Sequence, residues 1–128
     1  MGDDSILDIT KRLCMTDPED TSYDLELITH INTVFFVLSM LGIGPVNGFS
    51  ITGRTETWGQ FIGEESIHAV RTYMGLKVRM LFDPPATGPA TEAMERQAAH
   101  LECLLNINAE EVKWDLAQQT YLLSTESL

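Results

Sequence analysis

The 128-residue sequence is poor in cysteine and has no long apolar run. Cys14 and Cys103 form no CxxC motif, and the N-terminus carries no apolar signal segment. We therefore expect free thiols and a reducing intracellular compartment rather than secretion. The longest apolar run, residues 34–38, is far shorter than the roughly 20 residues of a membrane-spanning helix, so we expect no membrane association.

Positive charge is also scarce, because 8 lysines and arginines stand against 19 acidic residues, giving a formal net charge of -11. General affinity for nucleic acid depends largely on neutralising phosphates, so we expect DNA to be repelled on average. Arg71, Lys77 and Arg79 are a local exception. They could line a channel or contact phosphates, but pairing with acidic neighbours is the simpler interpretation.

Catalytic motifs are lacking as well. No GxxxxGK[ST] or GxGxxG string occurs, and neither cysteine stands beside a histidine. The sequence therefore predicts neither a phosphate-binding loop nor a nucleophilic active site. Glu65 and His68 match one Glu-x-x-His copy of the kind that di-iron bundles use, but a second copy is missing. We predict no enzymatic activity, no metal and no cofactor.

The sequence does contain helical periodicity, with the 44% hydrophobic and 21% charged residues of an ordinary globular domain. The spacing of apolar residues predicts an all-α bundle of four to five helices. The four clear helices cover residues 5–14, about 21–41, about 64–82 and 91–106. The last of them should fray at residues 106–108.

The second predicted helix is apolar on two sides. Leu27, Ile31, Val34 and Leu38 recur at spacings of four and three, while a second set extends the arc. That second set comprises Leu25, Ile28, Phe35 and Phe36. Such a wide arc indicates a helix that is either central in its own domain or shared with a neighbouring subunit.

The segment between the second and third of these helices holds most of the nine glycines, together with an Asn47-Gly48 pair that suits a tight turn. We predict a glycine-rich loop, and a short β-hairpin at this pair is the competing interpretation. Residues 55–62 should add one or two helical turns around Trp58 and Phe61. We place Trp58 in the core.

The last residues differ in kind, because aromatic and aliphatic side chains are scattered there among polar ones. We predict a domain of residues 1–108 and a C-terminal arm of residues 109–128. The arm either becomes ordered on a partner or folds back onto the domain. Its candidate contact residues are Trp114, Leu116, Tyr121, Leu122 and Leu123.

Four segments resemble the helical connector class of head-tail connector proteins from tailed bacteriophages. They are ILDITKRL at residues 6–13, DTSYDLELITHIN at 20–32, LGIGP at 41–45 and YMGLKVRMLFDPP at 73–85. The last of these looks like the family's helix running into a proline stop. The resemblance extends over roughly residues 5–106.

The resemblance implies a homo-oligomeric ring, usually a dodecamer, below the portal protein of the capsid. Such a ring extends the DNA channel, lets DNA pass without specific binding, and belongs to the neck of a virion made in the host bacterial cytoplasm. It also implies that the arm contacts the portal and that a central loop faces the next neck or tail component. The loop residues would be Val46, Asn47, Phe49 and Ile51.

The expected ring also assigns roles to two further sets of residues: apolar residues at subunit contacts and cations in the channel. Subunit-subunit packing would use Leu25, Ile28, Phe35, Phe36, Tyr73, Leu76 and Met80. Arg71 and Arg79 would be tolerated as channel cations in an otherwise acidic lumen. The alternative from a different class is a small intracellular regulatory or adaptor bundle that binds one protein partner and forms no ring.

Overall fold

The computed structural model describes residues 4–62 and 67–126, apart from the side chains of residues 112–116 and 120–126. These residues form five α-helices and no β-strand, which confirms the predicted all-α bundle. The helices are α1 (Ile6–Leu13), α2 (Asp24–Met40), α3 (Trp58–Phe61), α4 (Ile67–Phe82) and α5 (Gly88–Glu126).

The first helix, α1, begins where Ser5 caps it, with the Ser5 hydroxyl accepting a hydrogen bond from the Asp8 amide at 3.3 Å. Ile6 and Leu7 are buried. The helix ends before Cys14, and Met15 adopts a left-handed backbone conformation with φ of 63°. This conformation turns the chain towards α2.

Helix α4 is the central element, because it packs against α1, α2 and α5. Its buried side chains are Val70, Tyr73, Met74 and Val78. Gly75 lies where α1 crosses, and a Cβ atom there would stand 2.9 Å from Leu13 Cδ1. The absence of a side chain at Gly75 therefore allows α1 to approach α4 closely.

The segment between α2 and α3 is a glycine-rich loop, and the competing β-hairpin prediction is wrong. The backbone pairing described there is one isolated bridge between Ser5 and Thr57. Gly44 and Gly48 have φ values of 91° and 84°, which favour turns over paired strands. The predicted helical turn at Trp58 is confirmed as α3, which starts with a capping box between Thr57 and Gln60.

An aromatic cluster fills the space between this loop and α2. The Phe35 ring lies 4.6 Å from that of Phe61 and 5.2 Å from that of Phe49, measured between centroids. Trp58 is fully buried beside them, so its predicted place in the core is confirmed. The loop is thereby fixed to the bundle despite its glycines.

The last helix, α5, continues through residues 106–108 to Glu126, so the predicted end of the helix is wrong. That segment contains two asparagines but no glycine or proline, and Ala109 beyond it is buried. Packing thus outweighs the weak helix propensity of asparagine. The predicted boundary between domain and arm falls inside a continuous helix of about 58 Å, compared with about 24 Å for α4.

Candidate functional site

The outer face of α2 exposes large apolar side chains. Leu25, Phe36 and Met40 are 81%, 65% and 72% exposed. Between them, the hydroxyls of Thr29 and Thr33 donate to the helix carbonyls of Leu25 and Thr29 at 2.8 and 3.0 Å. Because these hydroxyls are satisfied internally, the helix presents a largely apolar face.

A groove of about 600 Å³ opens beside the C-terminal half of this face, between α2 and the loop at residues 46–50. Phe36 and Met40 line it on the helix side, and Val46 and Phe49 on the loop side. Val46 is fully exposed. We call Leu25, Phe36, Met40 and Val46, together with this groove, the α2 surface.

Asn32 fixes the loop that forms the groove. Its Nδ2 atom donates to the Ile51 carbonyl at 3.0 Å, and its Oδ1 atom accepts from the Ile51 amide at 2.7 Å. These two bonds hold the loop backbone against α2 as a neighbouring strand would. The groove therefore has one rigid wall and one wall anchored at Ile51.

The structure corrects one of the four residues predicted to face a neck or tail component. Ile51 is 1% exposed and lies in the core, because the Asn32 hydrogen bonds draw its backbone onto α2. Phe49 is half-buried on the aromatic cluster, whereas Val46 and Asn47 point to solvent. That the exposed Val46 and Asn47 contact a neck or tail component remains a prediction.

Two of the seven residues predicted for subunit packing are buried within the chain itself. Phe35 is 1% exposed at the centre of the aromatic cluster, and Tyr73 is fully buried with its hydroxyl donating to Glu102 at 2.8 Å. Of the others, Leu25 and Phe36 are exposed. Ile28, Leu76 and Met80 are half-buried against the core.

The candidate channel cations differ in their surroundings. Arg71 donates to Asp4 at 2.8 Å, which is the simple ion pairing that the sequence favoured. Arg79 is half-buried, and its Nε atom has no hydrogen-bond partner among the described residues. Burial raises the pKa of the neighbouring Cys14 thiol to about 11, although the charge of Arg79 acts in the opposite direction.

Two further cations also serve the fold. Lys11 is fully buried and forms an ion pair with Asp24 at 2.6 Å. Arg54 donates two hydrogen bonds, of 2.9 and 3.0 Å, to the carboxylate of the buried Asp8. Together with Arg71, these pairs occupy three of the eight lysines and arginines. The role of these three cations is therefore to hold parts of the chain together.

The histidines and cysteines form no joint site in the part of the chain that the structure describes. No three histidine, cysteine, aspartate or glutamate side chains there come together as metal ligands. His68 and His100 are exposed, and Cys14 and Cys103 are free thiols. Glu65, the other half of the Glu-x-x-His match, lies outside the described residues.

Helix α5 has an exposed apolar side that the sequence patterns did not single out. Leu104 and Ile107 are each 49% exposed, on the side away from the buried Ala98, Leu105 and Ala109. We call Leu104 and Ile107 the α5 surface. The side chains of the predicted arm contacts, Trp114, Leu116, Tyr121, Leu122 and Leu123, lie outside the described residues, so their contacts remain a prediction.

A small helical bundle with exposed apolar faces and no reaction centre in its described residues is suited to binding other proteins. Residues 6–112 match the sequence model of a family described as phage connector protein. The chain belongs to the phage connector protein family. No curated protein and no solved structure gave a match to this connector.

Membership in the family gives this connector a structural role among the components of a phage virion. The matched residues include α1 to α4 and the part of α5 that packs on α4. No helix among the described residues is long and apolar enough to cross a membrane. The family resemblance inferred from the four sequence segments is therefore confirmed.

Proposed function

We propose that this connector is a head-tail connector, also termed an adaptor or head completion protein, that forms a homo-oligomeric ring below the portal. The ring, a dodecamer by resemblance, extends the DNA channel and joins the capsid to the neck or tail. The observation that carries this proposal is the family match over residues 6–112. No catalytic step is involved.

The exposed apolar faces support self-assembly. Side chains as large and exposed as Leu25, Phe36, Met40 and Val46 are costly to leave in water. Patches of about 300–600 Å² are the largest on a typical monomer and often mark binding surfaces. A ring in which every subunit contacts two neighbours would cover such faces.

The charge distribution supports passage of DNA without binding. The chain carries a formal charge of -11, and three of its cations are neutralised by acidic partners within the chain. A ring of such subunits repels phosphates on balance. Arg71 and Arg79 are the candidate channel cations, and the Asp4 partner weakens the attraction of Arg71 for phosphate.

Two parts of the chain, the predicted arm and the loop at Val46 and Asn47, suit contacts with two different components. The backbone of α5 is helical to Glu126, which gives the arm a length that could reach the portal. The loop at Val46 and Asn47 is exposed beside α2 and would meet the next neck or tail component. Both assignments rest on the resemblance.

Electron microscopy of the virion, with subtomogram or symmetry-relaxed averaging of the neck, tests this proposal. We expect density for a closed ring of this chain directly below the portal. The matched sample is a particle made without the connector, which should lack that ring. If particles contain no copy of the chain, and purified protein forms a one-to-one complex with a host or phage protein instead, the regulatory adaptor alternative is correct.

A further inference from the structure

Apart from Leu25, which lies between Asp24 and Glu26, the α2 surface lies in a stretch of sequence without charge. No aspartate, glutamate, lysine or arginine occurs between His30 and Arg54, although acidic residues are abundant elsewhere. Two copies of a protein with a formal charge of -11 repel each other over most of their surfaces. Around Phe36, Met40 and Val46, the α2 surface is thus a place where another acidic copy can approach without a charge penalty.

The α5 surface is also poor in charge. Between residues 97 and 109 the one charged residue is Glu102, and its carboxylate accepts the hydroxyl hydrogen of the buried Tyr73. The outward side of α5 around Leu104 and Ile107 therefore carries few charges: exposed His100 lies one turn before Leu104, and exposed Glu111 one turn after Ile107. An exposed apolar patch with few charges thus exists on each of two helices that both pack against α4.

The two surfaces lie at the same level of the bundle. Asn106 Nδ2 donates to the Leu41 carbonyl at 3.4 Å, next to the end of α2. Leu104 and Ile107 flank Asn106 on α5, and Met40 precedes Leu41 on α2. A ring axis parallel to the helices repeats subunits without a shift along the axis, so level surfaces allow the ring to close.

We propose that the α5 surface of one copy docks on the α2 surface of the next copy, with Leu104 and Ile107 entering the groove lined by Phe36, Met40 and Val46. The contact is heterologous, because each subunit offers a different face to each neighbour. This inference rests on the proposed ring and names the faces that build it. It differs from a two-fold contact, in which one face would meet its own copy.

Site-directed disulfide cross-linking of ring-containing particles tests the contact. The full-length chain carries Cys103→Ser to remove the exposed native thiol, and then Met40→Cys with Ile107→Cys. Mild oxidation should give a ladder of covalent oligomers up to the ring size on a non-reducing gel. Each single cysteine variant should remain at least tenfold less cross-linked than the double variant.

The control pair is Met15→Cys with Ile107→Cys in the same background, because Met15 is an 82% exposed methionine outside both surfaces. It should give no ladder. Dimers from Met40→Cys alone would show a two-fold contact and overturn the proposal. A ring seen by microscopy without a ladder would overturn these faces and leave the proposed function intact, whereas particles without any ring would overturn both.

A charge variant gives an independent readout. Met40→Asp and Ile107→Asp change exposed side chains, so both should melt as the unaltered chain does. Each should lower the fraction of chain in rings on portal at least tenfold in sedimentation, and Met15→Asp should not. A mixture of the two variants retains one intact contact and should yield dimers, and dimers from either variant alone would contradict a heterologous contact.

Discussion

At the scale of single residues, Lys11 is the least expected feature of the core. It is fully buried, and its ammonium group binds Asp24 Oδ1 at 2.6 Å and the Pro18 carbonyl at 3.1 Å. Lysine is almost never fully buried without partners. Here the partners come from the loop after α1 and from the first turn of α2, so Lys11 fixes the connection between these helices.

We predict that Lys11→Ala lowers the free energy of unfolding by about 2–4 kcal/mol, because Asp24 and the Pro18 carbonyl lose a buried partner. Lys11→Met, which keeps the aliphatic length, should lose less. Arg12→Ala is the control, since Arg12 is exposed on the same helix and should cost about 0.5 kcal/mol or less. Urea denaturation measures all three, and equal losses for Lys11→Ala and Arg12→Ala would contradict the role of the buried pair.

Glu56 holds the end of the glycine-rich loop. Its carboxylate accepts hydrogen bonds from the Thr52 amide at 2.8 Å, the Thr52 hydroxyl at 2.9 Å and the Gly53 amide at 3.3 Å. Burial alone would raise the pKa of Glu56, but these hydrogen bonds to the charged form outweigh it, and the pKa is lowered. The ionised form is therefore favoured in the folded chain.

This pKa direction predicts a pH dependence. A carboxyl whose pKa is lower in the folded state stabilises above its unfolded pKa of about 4.3, and that contribution is lost as pH falls towards the folded value. From pH 6 to pH 3.5, Glu56→Gln should lose less unfolding free energy than the unaltered chain. Denaturation series at several pH values measure this, with Glu92→Gln on α5 as the control for removing one acidic group. Parallel curves for Glu56→Gln and the unaltered chain would contradict it.

At the scale of elements, the crossing of α1 and α4 depends on Gly75. A glycine inside a helix costs about 0.5–1 kcal/mol relative to alanine, so its place in the middle of α4 reflects packing. The Cβ of a larger residue would lie 2.9 Å from Leu13 Cδ1 and 3.0 Å from Leu13 Cβ. The close approach of the two helices would then have to loosen.

We predict that Gly75→Val lowers the free energy of unfolding by about 1–3 kcal/mol through overpacking. Adding Leu13→Ala to the same chain should recover part of the loss, because it removes the atoms that clash. Gly88→Ala serves as the control, since a Cβ there meets nothing within 4 Å. Thermal melting of five chains decides this: the unaltered chain, the double variant, Gly75→Val, Leu13→Ala and Gly88→Ala. Losses of the two single variants that add up in the double variant would argue against the steric explanation.

At the scale of the whole molecule, α5 belongs to the bundle along only part of its length. Among the side chains that the structure describes, the last core residue is Ala109, and the family match ends at residue 112. Helix α4, to which α5 is packed, is less than half as long. This geometry is consistent with a bundle-bound part and an arm within one helix.

We predict that deleting residues 113–128 leaves the melting temperature within about 4 °C of the full-length chain, equivalent to about 1 kcal/mol or less for a domain of this size. Binding to purified portal should fall at least tenfold. The control is Trp114→Ala in the full chain, which should weaken portal binding without altering melting. A larger drop in melting temperature on deletion would show that the last residues are part of the fold.

The fold class was accessible from sequence because helical periodicity is local. Leu27, Ile31, Val34 and Leu38 define one face of α2 without reference to the rest of the chain. The proline stops and the absence of catalytic motifs are equally local. The connector resemblance is equally a property of the sequence, because short segments spread over the same helices carry it.

The tertiary structure decided which apolar residues face outwards. Phe35 and Phe36 are adjacent in sequence but about 100° apart around α2, and only the position of the loop aromatics makes one a core residue and leaves the other exposed. Ile51 turns inwards because Asn32, nineteen residues earlier, binds its backbone. Periodicity fixes which residues share a face, but the partner of that face is set by contacts between residues distant in sequence.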